Sequence, residues 1–135
     1  MAYCHLAATL FMVGLIWFVQ VVHYPLFSRL TGDASIPFAV EHQRRTAWVV
    51  GLPMLTEGLT TLWLFFDPVN SRILPLLGVL VLLKIYLSTI LLQIPLHKKL
   101  SNGHDKGVVR KLVATNWIRT IGWTTRAAIA IAIVA

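Results

Sequence analysis

Residues 73–96 read ILPLLGVLVLLKIYLSTILLQIPL, a run whose single charge is Lys84. A helix needs about 20 largely apolar residues to cross the hydrocarbon core of a bilayer. This stretch therefore reads as a membrane-spanning helix, and its neighbours follow the same logic. Further apolar runs extend from Leu6 to about Phe27, from about Thr46 to Phe66 and from about Leu112 to Ala135. The last is the least apolar and depends most on partners. Between the runs, Thr31-Gly32-Asp33, Asp67-Pro68-Val69-Asn70 and Ser101-Asn102-Gly103-His104-Asp105 carry turn chemistry. The expected fold is all-α: one antiparallel four-helix transmembrane bundle over residues 1–135, with spans at about 6–27, 46–66, 73–96 and 112–135.

Composition agrees. Of 135 residues, 57% are hydrophobic and 13% charged, against about 25% charged in soluble domains. The net charge of +7 could suggest nucleic acid, but the basic residues lie in loops beside apolar runs and read as topology signals. The one cysteine, Cys4, excludes an internal disulfide framework. Met1-Ala2-Tyr3-Cys4-His5 lacks the cationic region of a cleavable leader, so the first run is expected to stay as a span. Arg29, Arg44, Arg45, Lys98, Lys99, Lys106, Arg110 and Lys111 fall on one side of such a bundle and Arg72 on the other. By the positive-inside rule the basic loops are expected to be cytoplasmic and both termini not; the expected setting is a bacterial inner membrane.

Counting at about 100° per residue sorts the polar side chains into stripes. Thr9, Ile16, Gln20 and His23 share one arc of the first span. His42, Thr46, Pro53, Glu57 and Thr60 share one of the second. Asn116, Arg119, Thr120, Trp123 and Arg126 follow an i, i+3, i+4, i+7 pattern in the fourth. Lipid cannot satisfy such stripes, so they are expected to face a common interior. The third span is inconsistent, because Gln93 and His97 share a face with Tyr86 while Lys84 and Ser88 point nearly opposite. Pro95 can alter that offset by distorting the last turn. Otherwise Lys84 or its opposite set meets another subunit.

By depth, Glu57, Lys84 and Arg126 form a mid-membrane tier, and intramembrane charges are pointers to function by default. Glu57 and Arg126 could be a structural pair, or two cations against one carboxylate could hold an anionic or quinone-like head group. His23, Gln93, His97, Asn116 and Arg119 form a second tier nearer the basic side, with His42 at its mouth. His23, His42 and His97 are weak candidates for a metal or haem, since no HExxH, CxxCH or Glu-x-x-His motif supports them. His5 and His104 are expected to face solvent. Trp117 and Trp123 flank the last stripe and could stack on a planar ligand, or simply pack.

Gln93-Ile94-Pro95-Leu96-His97-Lys98-Lys99-Leu100 and Asn116-Trp117-Ile118-Arg119-Thr120 resemble the last two helices of small four-span membrane proteins. Among characterised groups, this C-terminal third is similar to the anthrone-oxygenase-like family, which has Pro-x-Asn-x-x-Leu and a later Asn-x-x-Arg. His97 stands where that family has Asn, whereas Asn116 and Arg119 match. The resemblance implies a cofactor-independent oxygenase acting on a flat phenolic substrate.

Three functions are thus expected. The first is a membrane protein with a polar intramembrane pocket for a hydrophobic or aromatic ligand or redox cofactor such as quinone or haem. The pocket candidates are Gln20, His23, Glu57, Lys84, Gln93, His97, Asn116, Arg119, Trp123 and Arg126. The second is a non-catalytic subunit of a larger membrane complex or homo-oligomer. The third is a small carrier using Glu57, although no inverted repeat favours transport.

Overall fold

The computed structural model describes residues 1–30 and 34–135, so the turn expected at Thr31-Gly32-Asp33 lies outside the described residues. Four helices account for nearly all of the rest: α1 (Ala2–Phe27), α2 (Ser35–Phe66), α3 (Ile73–Asn102) and α4 (Lys106–Val134). No strand occurs among the described residues. The first three helices are each long and apolar enough to cross a membrane.

All four start earlier or run further than the apolar runs suggested. Hydropathy marks where a helix is greasy, not where its backbone hydrogen bonds stop. α2 begins at Ser35 and α4 at Lys106 because these polar extensions still have something to bury. Ala39 and Val109 enter a cluster with Tyr24, Phe27, Leu100 and Leu112 at the basic end. Asp105 caps α4, its carboxylate accepting from the amides of Gly107 at 2.6 Å and Val108 at 3.3 Å, as an N-cap residue does.

The helices form a closed ring of neighbours. α1 packs on α2 and α4, and α3 packs on the same two. The diagonal pairs, α1 with α3 and α2 with α4, meet through long side chains. Helices α3 and α4 come close at Gly122, where a Cβ would lie 2.7 Å from Cγ1 of Ile85. Gly122→Ala therefore forces the buried Ile85 side chain, or the two helices, to shift. It should cost about 1–3 kcal/mol, seen as a lower melting temperature in detergent. Gly14, with no atom within 4 Å of its Cβ position, should tolerate alanine without loss.

Two helices share one irregularity. Val19–His23 in α1 and Thr89–Gln93 in α3 are π-turns, with the amide of Tyr24 bonded to Val19 and that of Ile94 to Thr89. Each lies just before a proline, Pro25 or Pro95. A proline has no N–H and its ring collides with the carbonyl four residues back. Widening the preceding turn relieves that collision and advances the following residues by less than the usual 100°. The offset suspected at Pro95 is real, and its source is this turn. Ser88 and Gln93, five residues apart, are both buried, while Lys84 is left on the outside.

Candidate functional site

Polar side chains fill the bundle interior at two levels, separated by apolar packing. At the level nearer the termini, Glu57 and Arg126 pair across the α2–α4 diagonal, 0% and 1% exposed. Arg126 also donates to the carbonyl of Gly78 and, at 2.7 Å, to Thr61, tying in α3. α1 joins through Thr9, whose hydroxyl donates to Glu57, and through His5. The His5 ring lies 2.9 Å from the Thr60 hydroxyl and 3.6 Å from Glu57. His5 is therefore buried, not solvent-facing as expected. Its four-residue spacing from Thr9 carries the signal, but hydropathy alone starts the span at Leu6. With Lys84 outside, the pair is one carboxylate with one guanidinium, and the expected surplus of positive charge disappears.

Below this level Met12, Ile16, Leu82, Ile85 and Trp123 make an apolar plug. Trp123 is fully buried there, with the Arg126 guanidinium 5.8 Å from its ring centre. It has no face to offer a ligand. Trp117 is exposed and meets Trp17 edge-on at 5.7 Å.

The second level begins at Gln20. Its carbonyl oxygen accepts from Asn116 at 2.9 Å and Thr120 at 3.2 Å, and its amide donates to the Val113 carbonyl. Arg119 donates to Asn116 at 3.3 Å, and Gln93 donates to Thr115 at 2.9 Å. Gln20, Asn116, Arg119 and Thr120 belong to the predicted stripes, and the structure brings them together; Gln93 joins from the span whose faces are inconsistent by count, and Thr115 is on no stripe. Tyr24 was missed. The π-turn rotates it inward, where its hydroxyl lies 2.9 Å from His97 across the α1–α3 diagonal. Three buried polar atoms here, Gln93 Oε1, His97 Nδ1 and Arg119 Nε, have no hydrogen-bond partner among the described residues. His104 is half-buried, again contrary to expectation.

The same π-turn directs His23 away from Gln20 and toward α2. Its Nε2 lies 2.8 Å from His42 Nδ1, and the rings stack 4.5 Å apart at 28°. His97 stands 5.2 Å from His42, ring to ring. Near-parallel rings bonded nitrogen to nitrogen do not point their lone pairs at one centre, as a metal requires. Among the described residues no group of three His, Cys, Asp or Glu side chains is placed to hold a metal.

What the histidines do face is a groove between α1 and α2 with a cavity of about 480 Å³. Leu15, Phe18, Val19, Phe38 and Val49 supply its apolar walls, His23, His42 and Thr46 its polar floor, and Glu41 and Arg45 its rim. Arg45 and Arg44 both pair with Glu41, at 2.6 and 2.8 Å. Of the ten pocket candidates only His23 lines this groove. Gln20, Glu57, Gln93, Asn116, Trp123 and Arg126 are buried in packing, with Arg119 nearly so. His97 is one ring further in, and Lys84 lies on the outer surface.

Fold and site together define an all-helical protein with helices of membrane-crossing character, polar layers inside and a side groove. The chain matches no protein-family model, no curated protein and no solved structure.

Proposed function

We propose that this chain is a four-span integral protein of a bacterial inner membrane that binds a flat hydrophobic ligand with a polar head, of the quinone or phenolic type, in the α1–α2 groove. The groove carries the reading. Ligand pockets typically enclose about 300–1,000 Å³, mostly apolar, with a few placed polar groups, and the α1–α2 cavity has that size and lining. His23 Nδ1 and His42 Nε2 have no hydrogen-bond partner among the described residues, so both remain available to a carbonyl or hydroxyl. The excess of Lys and Arg at the groove's end of the bundle supports placing that end in the cytoplasm. The resemblance of the C-terminal third to anthrone-oxygenase-like proteins supports a flat aromatic ligand, with Asn116 and Arg119 lying behind the histidines.

The test is binding of a naphthoquinone to purified protein in lipid nanodiscs. Binding should be saturable and weaken about tenfold in His42→Leu, the equivalent of one lost hydrogen bond of about 1.4 kcal/mol. Val49→Trp, which fills the groove, should weaken it at least as much. Partition into the nanodisc that ignores both substitutions sinks the proposal. A Soret band in the purified protein would instead establish haem.

A further inference from the structure

Lys84 is a lysine without a partner in the middle of an apolar helix. It sits halfway along the run 73–96, about 17 Å from the start of α3 at about 1.5 Å per residue. It makes no hydrogen bond or ion pair with the described residues, and it is exposed on the outer face of the bundle. Ionisable groups within membrane spans almost always face an interior or a partner, and snorkelling to the interface serves residues near helix ends. Lys84 is too deep for that and turned the wrong way for the Glu57 site.

Its surroundings have a pattern. Leu77, Leu80, Lys84 and Leu87, all ahead of the π-turn, are exposed and are spaced 3, 4 and 3 residues apart. This is the spacing of a helix–helix seam, in which one polar residue in an otherwise leucine stripe sets register and partner at a cost in stability. A second copy of the chain does not suit the seam. A two-fold contact there would bring Lys84 against Lys84, and like charges in a low dielectric repel strongly. Nor does the chain offer a free carboxylate at this depth among its described residues. Glu57 is buried in its pair, Glu41 is held by Arg44 and Arg45, and Asp67 and Asp105 lie at helix ends.

We infer that the outer face of α3 docks a transmembrane helix of another protein that carries a carboxylate near the bilayer midplane. Lys84 pairs with that carboxylate, and the leucines on either side pack against the partner helix. The stripe lies away from the α1–α2 groove, so the inference stands whether or not the groove binds a ligand.

The probe is a fluorescent 25-residue Leu/Ala transmembrane peptide with one central Glu, compared with the same peptide carrying Gln. Association with the full chain is read by energy transfer in phosphatidylcholine vesicles. The Glu peptide should bind about tenfold more tightly than the Gln peptide. Lys84→Leu, an exposed and apolar change that preserves helicity by circular dichroism, should erase the difference. Lys84→Glu should restore tight binding to a peptide with a central Lys. Equal binding of both peptides to the wild-type chain overturns the inference, as does a preference that survives Lys84→Leu. A wild-type dimer that Lys84→Leu abolishes assigns the seam to a second copy and overturns it as well.

Discussion

Glu57→Gln should destabilise the bundle by about 3–5 kcal/mol, because it leaves the Arg126 guanidinium buried without its anion. Arg126→Met should cost a similar amount by stranding the carboxylate. The informative variant is the double one. With both charges gone, the remaining groups are neutral and the interior no longer holds an uncompensated ion, so Glu57→Gln/Arg126→Met should be more stable than either single variant. Thermal unfolding in detergent micelles measures all three. A double variant as unstable as the sum of the singles means that the charges do not act as a pair. The expected pattern follows from geometry: both groups are sealed from solvent, and their hydrogen bonds engage α1, α2, α3 and α4.

The next largest loss is expected from Trp123→Ala, about 3–5 kcal/mol for emptying a large, fully buried aromatic site. Trp123 separates the two polar levels, so its removal also opens a path for water between Glu57 and Gln20. Ligand binding in the α1–α2 groove should not change, since Trp123 does not line it. Unfolding and naphthoquinone binding, measured on the same preparation, distinguish a core residue from a ligand platform. A variant that keeps its stability but loses binding assigns Trp123 to the ligand.

How far the interior could be read in advance depends on helix regularity. Glu57, Asn116, Arg119, Thr120 and Arg126 lie on stretches where 100° per residue holds, and they face the interior as the stripes implied; Gln20, inside the π-turn Val19–His23, still reaches Asn116 and Thr120. His23 closes the π-turn and Tyr24 follows it, so a count of 100° per residue puts His23 beside Gln20 and leaves Tyr24 off the stripe. The same irregularity in α3 made Lys84 ambiguous: Ser88 and Gln93 share a face only if the turn between them is widened. His5 escapes the count for another reason, since hydropathy puts the helix start after it.

The residues alone determined the all-helical class, the apolar runs, the interior stripes and the separation of basic from non-basic ends. Each follows from short-range periodicity and transfer energetics along a single chain. Only the tertiary structure decided that Glu57 and Arg126 touch, that Lys84 does not join them, and that His23 and His42 border a groove. Those outcomes depend on the rotation and separation of whole helices, which proline-induced π-turns and the close approach at Gly122 set beyond the reach of a residue count.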